Sequence, residues 1–301
     1  MDDNIAEFVG SIPDFYDRGM GPVMFADFAA DMAQRVKALE PRLVVETAAG
    51  TGILTRALRD ALPGRTKIIS TDLNPPMLEV ARQKFARGEP VVLQPADAVD
   101  LPFDDACCDL LVCQFGLMFF PDKEQSYRTA FRVLEDGGHY LFSVWDSHAF
   151  NPYGEVTHRV AGTFFPDDPP QFYALPYAFS AIDPIKDGLM AAGFSGVDIS
   201  VVRLEKLVPD PELFARGMVF GNPLYDQIRG RGGDPEAVVA AIVAELRERF
   251  GSDPMVVQLQ EIVFQARKGA VPRRRRGCGS GAGGRPLPGP PHEGKGEEGA
   301  R

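Results

Sequence analysis

Between residues 43 and 145 the chain alternates short apolar runs with longer segments of helical rhythm. The runs are "RLVVET", "KIISTD", "VVLQ", "CDLLVCQ" and "HYLFSVW". Between them lie "ILTRALRDAL", a stretch from about Pro75 to Ala86, and "KEQSYRTAFRVL". These end at Pro63-Gly64, just before Gly88, and at Asp136-Gly137-Gly138. Strands separated by helices at this spacing predict a parallel sheet covered on both faces. Apolar runs without polar alternation fit strands buried on both sides.

The flanking regions extend this plan. Ahead of the first strand, "FADFAADMAQRVKAL" places Phe25, Phe28, Met32, Val36 and Leu39 on one helical face. After Trp145 the rhythm loosens, and residues 147–180 are rich in Pro, Phe and Tyr. Asn151-Pro152 there reads as a turn. A helix near 183–192 ends at Gly193, and "GVDISVVRLEKLV" alternates as a strand should. Helices are expected near 211–219 and 235–250, and "MVVQLQEIVFQAR" is a seventh and last strand.

Charge and composition bound the function. The net charge is -10, and the thirty residues from Pro272 hold seven basic and three acidic residues. Without them the balance is 25 basic against 39 acidic, which argues against a nucleic-acid-binding body. Residues 270–301 are rich in Gly, Pro and charge and are predicted to be disordered. Arg273 to Arg276 read as part of that solvated tail. The run "LLVCQFGLMFF" is too short to span a bilayer. The start "MDDNIAEF" is acidic and unlike a signal peptide. Cys107, Cys108, Cys113 and Cys278 show no metal-ligand spacing, so reduced thiols and no metal site are expected. Together these features predict a cytoplasmic protein.

Ligands of open α/β sheets bind beyond the carboxyl ends of the strands. The first such end is "VVETAAGTG", where Ala48, Ala49, Gly50 and Gly52 let a ligand approach the backbone. The dinucleotide pattern G-x-G-x-x-G fails, because Thr55 stands in its third place. Glu46 closes the first strand, Asp72 the second, Asp97 follows the third, and Gln114-Phe115 follows the fourth. A carboxylate at Asp72 suits two ribose hydroxyl donors. A carboxylate with a neighbouring backbone N–H at Asp97 suits an adenine edge. Each has a plainer reading: a helix cap for Asp72, a turn for Asp97, core packing for Phe115. In "TDLNPPML", Asn74 fits an N-cap and Pro75 the first helical position.

These pieces, with "PADAVDLPFDDACCDLLVCQFGLMFFPD" and "VLEDGGHYLFSVW", make residues 43–145 resemble the class I S-adenosylmethionine (SAM) dependent methyltransferases. The resemblance is to the type-11 branch, which includes quinone-biosynthesis C-methyltransferases. It implies a Rossmann-like, doubly wound seven-stranded sheet, mostly parallel with an antiparallel last strand, plus helical cap insertions. The expected organisation is an N-terminal helical segment (1–42) closing the cofactor site, then a methyltransferase domain (43–269). Cap insertions are expected near 147–180 and 209–253, with the tail at 270–301. SAM is the implied cofactor. Glu46 and the Gly50 backbone would hold its methionine part, beside Ala48 and Gly52. Asp72 would take the ribose, Leu73 would flank the adenine, and Asp97 with the Ala98 backbone would read it. Phe115 would lie near the sulfonium. Glu46 stands where the family commonly has Asp, and Ala48 replaces its usual first glycine.

Methyl transfer from a sulfonium is an in-line displacement, so positioning supplies much of the rate. Acceptors of high pKa also need a base. His139 precedes the fifth strand, at the wrong end of the sheet, and His292 is in the tail. His148 follows the fifth strand on the ligand side and is the candidate base, against a plainer role in cap packing. His158, Asp146 and Tyr153 share its region. "DFYDRGMGP" is expected to fold over the site, with Tyr16 either touching cofactor or packing. The aromatic caps favour a small-molecule acceptor with some apolar character. An NAD(P)-dependent oxidoreductase and a SAM-binding subunit without catalysis are the alternatives. Thr55 and Asp97 oppose the first, and the lack of an obvious base leaves the second open.

Overall fold

In the computed structural model, which describes residue 8 and residues 10–269, seven strands form one sheet. They are β1 (Leu43–Glu46), β2 (Lys67–Asp72), β3 (Val91–Pro95), β4 (Cys108–Gln114), β5 (Leu134–Trp145), β6 (Phe194–Val208) and β7 (Met255–Lys268). Their order is β3-β2-β1-β4-β5-β7-β6. The first five pair in parallel. β7 runs antiparallel to both β5 and β6, so β6 shares the sense of the first five. This is the expected doubly wound sheet with its last strand reversed. The chain moves outward from β1 to β3 and then returns to β4 on the other side of β1. The carboxyl ends of β1 and β4 therefore flank a switch point, where such sheets open a crevice.

Helices cover both faces. On one, Met32 and Val36 of the Ala26–Ala38 helix and Leu54 and Leu58 of the Ile53–Ala61 helix pack on Val44, Leu110, Leu141 and Val263. On the other, Tyr127, Ile185, Leu189 and Phe194 join Tyr140, Phe142 and Phe264. Cys107, Cys108 and Cys113 are unpaired, and burial pushes each thiol above its ordinary pKa.

Three local expectations are corrected. The helix from Pro75 ends at Arg82, not near Ala86. There Gln83 and Lys84 donate to Val80 and Ala81 three residues back, which tightens the last turn. Lys84 Nζ then meets both carboxylate oxygens of Asp17 at 2.6 and 2.7 Å, tying that turn to the N-terminal segment. β5 begins at Leu134, so Asp136-Gly137-Gly138 is inside a strand. The β4–β5 register shifts there, Gly137 has φ +84°, and a Cβ on Gly138 would lie 2.9 Å from the Glu135 carbonyl. The glycines serve a bulge. The segment expected to fold over the site, residues 14–22, runs into a π-helix over Tyr16–Phe25, and Tyr16, Met20 and Met24 from it line the cleft. Asn151-Pro152 is not a turn but the start of the Pro152–Thr163 helix. Asn151 is fully buried because its side chain clasps the Gln260 backbone, accepting its N–H at 2.9 Å and donating to its carbonyl at 3.0 Å.

The predicted disordered tail at 270–301, with Arg273 to Arg276, lies outside the described residues, as do residues 1–7. Among the described residues no helix is long and apolar enough to cross a membrane, and no three potential metal ligands cluster.

Candidate functional site

The crevice at the switch point is a real cleft. Its empty space, open mouth included, is about 1160 Å3. A smaller pocket behind it shares Tyr16, Phe25, Ala48, Gly50, Gln114 and Phe115 with it.

The loop after β1 shapes the inner end. Ala48, Gly50 and Gly52 have φ of +52°, +56° and +76°, a left-handed region that favours glycine. Ala48 adopts it with its methyl pointing to Gly116, where an added Cβ would come within 2.3 Å. The glycine missing at 48 is thus matched by one at 116. Gly50 faces open space and donates its N–H to Asp72 Oδ2 at 2.8 Å. Gly52 lines neither pocket. A Cβ there would lie 2.8 Å from Ala81, so its place in the fold is the close approach of this loop to the Pro75–Arg82 helix.

Glu46 lines the smaller pocket and is almost fully buried. Its Oε2 accepts hydroxyl hydrogen bonds from Thr55 and Ser70, each 2.6 Å. Burial pushes its pKa up to about 7 against the pull of those two hydroxyls, with the charge of Asp72 adding to the rise. Thr55, the residue that breaks the dinucleotide pattern, therefore orients a carboxylate. Ser70 reaches it because parallel register sets Ser70 directly beside Glu46.

Asp72 is held at both oxygens. Oδ2 takes the Gly50 N–H, and Oδ1 takes the Asn74 N–H at 2.8 Å and the Asn74 amide at 3.3 Å. Burial raises its pKa, and the backbone N–H groups of Asn74 and Gly50 oppose that rise. A carboxylate offers about four lone-pair sites, three of which are taken, so one hydroxyl finds a free site and a second would displace the long Asn74 amide bond. Asn74 occupies the N-cap position, but its side chain does not cap. Its Oδ1 accepts the Phe8 N–H at 3.2 Å instead. Leu73 stands 57% exposed in the cleft wall. Asp97 also lines the cleft, beside Ala98, and its Oδ1 accepts the Val99 N–H at 3.0 Å. The turn and cleft readings of Asp97 hold together.

Phe115 lines both pockets and has φ +54°. Its ring stacks on Trp145 at 3.9 Å and 8°. Phe25 lies 5.8 Å from Phe115, and Tyr16 stacks on Phe25 at 4.8 Å. Beyond them the cleft is walled by Met20, Met24, Phe119, Phe172, Tyr173 and Tyr177. Tyr173 donates to the Met218 carbonyl at 3.0 Å and accepts from Asn222 at 3.1 Å, and Tyr177 donates to Tyr153 at 3.1 Å. Burial pushes Tyr16, Tyr173 and Tyr177 above the ordinary phenol pKa. These hydroxyls stay neutral, as donors and not bases.

His148 is not brought to the cleft. Its ring lies behind Tyr177, 4.5 Å away, with His158 at 5.9 Å on the same outer side. Burial and the neighbouring His158 lower its pKa, and its Nε2 is buried without a partner. The bonds from Phe150 and Asn151 back to the Ser147 carbonyl fold this segment into a tight turn. With Asn151 clasped to β7, the imidazole packs outside the aromatic wall.

Trp145, Thr55, Ser70, Gly116, Tyr173, Tyr177 and Asn222 were not foreseen. Trp145 was findable, because it ends β5 on the same rim as Phe115 ends β4. Tyr173 and Tyr177 fall in the aromatic-rich segment expected to form a cap, but nothing local singles them out within it, and Asn222 carries no signal of its own.

Comparison with known proteins places this geometry. Residues 45–142 match a family model described as a methyltransferase domain. The chain is 31% identical over 176 residues to a demethylmenaquinone methyltransferase of Thermus thermophilus, covering 56% of this chain and 70% of that one. It is 25% identical over 234 residues to a malonyl-[acyl-carrier protein] O-methyltransferase of Geobacter sulfurreducens, covering 75% and 83%. The crystal structure of the YcgJ protein of Bacillus subtilis superposes with a TM-score of 0.54 at 19% identity, over 81% of this chain and all of that one. That last likeness speaks to the fold.

Proposed function

We infer the function from one premise: the chain belongs to the class I SAM-dependent methyltransferases, in the type-11 branch. Its cofactor is SAM, and its reaction is transfer of a methyl group to a small-molecule acceptor. The oxidoreductase alternative has no support: its fingerprint fails at Thr55, whose hydroxyl is committed to Glu46.

The residues fit the cofactor part by part. Glu46, at the inner end, would hold the ammonium of the methionine moiety, with Gly50 leaving its side of the loop open. Asp72 would accept both ribose hydroxyls. Leu73 would cover one face of the adenine, and Asp97 with the Ala98 backbone would read its edge. Phe115, Trp145 and Phe25 would present ring faces to the sulfonium, a cation–π contribution of about 0.5–2 kcal/mol. When bound, SAM supplies an already activated methyl. What the chain adds is alignment and exclusion of water, with Tyr16, Met20 and Met24 of the N-terminal segment closing over the junction.

The observation that carries this reading is the Asp72 carboxylate, fixed at both oxygens beside an open glycine backbone. Titration calorimetry with SAM tests it. Asp72→Ala should weaken binding by at least tenfold, and unchanged affinity with folding intact would overturn the ribose assignment.

For the acceptor, we propose a neutral, apolar ring compound. The outer half of the cleft is built from Phe, Tyr, Met and Trp, and its charged groups all sit at the cofactor end. Of the two named relatives, the demethylmenaquinone enzyme has an acceptor of that character in its name. Among the described residues no histidine lines the cleft, and its tyrosines stay protonated, which supports an acceptor that needs no protein base. Incubation with isotopically labelled SAM and a hydroquinone, against a malonyl thioester, separates the two chemistries. Label on the thioester alone would refute this acceptor class. The unpaired described cysteines favour a reducing compartment such as the cytoplasm.

A further inference from the structure

β6 is the last strand of the sheet, and no strand among the described residues pairs with its outer edge. It runs for 15 residues, Phe194–Val208, without a proline. Open edges of this length template pairing with another chain unless they are blunted or used.

The two faces of β6 differ. Its even-numbered residues face the Ala26–Ala38 helix: Ser200 accepts from Arg35 at 2.8 Å, and Lys206 pairs with Asp27. On the odd-numbered face Val201, Arg203, Glu205 and Leu207 are all exposed. Val201 and Leu207 each leave 52% of their surface in water, and Val256, the β7 partner of Leu207, leaves 37%. Apolar, positive, negative, apolar is a sequence that complements itself when reversed.

We propose that β6 is the interface with a second copy of this chain, the two strands pairing antiparallel about a two-fold axis through Leu204. A two-fold axis normal to the sheet keeps odd residues opposite odd ones, so the strands can slide only in steps that preserve this parity. Centred on Leu204, Arg203 of each copy lies opposite Glu205 of the other, and Val201 lies opposite Leu207. Both exposed apolar residues and both charges find partners twice over. Centring on Arg203 sets two guanidinium groups face to face, and centring on Glu205 sets two carboxylates face to face. Cross-strand pairs of opposite charge or of apolar residues stabilise, and like charges directly opposite destabilise. The chemistry of one strand thus selects one register, and the sheet continues through both copies.

Sedimentation velocity on the full chain tests this, with circular dichroism confirming the fold. The wild type should sediment with the mass of two chains at micromolar concentration. Arg203→Glu alone or Glu205→Arg alone puts like charges opposite each other at both pair positions, and each should shift the protein to the mass of one chain. Arg203→Glu combined with Glu205→Arg should restore the two-chain mass. Directly opposed residues have Cα atoms about 4.5–5.5 Å apart, within disulfide reach. Leu204→Cys should therefore cross-link to its twin on oxidation, and Arg203→Cys should not. A wild type of one-chain mass, a double exchange that fails to restore, or a cross-link at 203 in place of 204 would each overturn the interface.

Discussion

Replacing Glu46 by glutamine separates charge from shape at the methionine end of the cleft. Burial raises this carboxyl from 4.5 to about 7, a penalty on the ionised form of about 3 kcal/mol. An ammonium bound there needs the carboxylate, so cofactor affinity should rise about tenfold per pH unit up to pH 7 and then level off. At pH 5.5 only about 3% of the free protein carries the charge, which places affinity about 30-fold below its plateau. Glu46→Gln keeps the volume and the Thr55 and Ser70 contacts but removes the charge. A hydrogen bond to a charged group contributes about 1.5–3 kcal/mol, so the variant should bind about 10- to 100-fold more weakly at pH 8, without the slope. The two proteins should converge near pH 5.5. Without ligand the sign is opposite for stability. The native state keeps the Glu46 proton longer than the unfolded chain does, so this residue's contribution is lost as pH rises from 4.5 towards 7. Titration calorimetry between pH 5.5 and 8 reads the affinity, and buffers of different ionisation enthalpy read the proton released on binding. Wild-type affinity that stays flat across that window, or a variant that keeps the slope, would refute the role of Glu46.

Glu261 is fully buried on β7, with its pKa raised to about 8 by burial. The Ser143 hydroxyl is near enough to favour ionisation, yet no bond of good geometry forms at either carboxyl oxygen. Urea unfolding should show wild-type stability falling between pH 5 and 9 by up to a few kcal/mol, at about 1.4 kcal/mol for each tenfold difference in proton affinity between the folded and unfolded chain. Glu261→Gln should remove its share of that fall and leave the part due to Glu46 below pH 7, and equal profiles would contradict the buried acid. Gly116→Ala should destabilise by about 1–3 kcal/mol through overpacking, and by less in an Ala48→Gly background, where only Cys113 Sγ at 2.9 Å still crowds the new methyl. Additivity within about 0.5 kcal/mol would show the two sites to be independent. His148→Asn should cost about 1 kcal/mol of stability and leave the pH profile of kcat in place, whereas loss of a limb of that profile would restore the histidine as a base.

The strands were legible because each carries its own signal in a few consecutive residues. β2 and β4 match their expected bounds, and the rim carboxylates Glu46, Asp72 and Asp97 follow from where β1, β2 and β3 end. What stayed hidden depends on distant pairing. His148 is close to Trp145 in sequence and follows the right strand end, yet a clasp between Asn151 and Gln260, 109 residues apart, turns it away. Tyr173 and Tyr177 enter the cleft from short cap helices and Asn222 from the turn between the Pro211–Phe220 and Leu224–Gly230 helices, and their place in the cleft depends on how these pack. Ser70 sits in an apolar strand with nothing to mark it, and acquires its role from the register that sets it beside Glu46. Gly137-Gly138 misled for the converse reason: a bulge and a helix stop use the same residues, and only the partner strand distinguishes them.

The departures from the usual glycine pattern share one physical logic. Thr55 stands where the dinucleotide pattern has a glycine, and its hydroxyl binds the buried Glu46 oxygen, which would otherwise rest on Ser70 alone. Ala48 takes the place of another, and Gly116 gives up a side chain to make room for its methyl. Gly116 follows Phe115, so the space that admits Ala48 lies next to the left-handed residue that aims an aromatic ring at the cleft junction. Two loops from different strands therefore adjust together, and their shape survives changes that break the motif position by position. A motif compared one residue at a time counts each departure as a loss. The paired contacts show that Thr55 supplies Glu46 with a hydrogen bond and that the bare Gly116 leaves room for the Ala48 methyl, with Gly50 and Asp72 still facing the cleft.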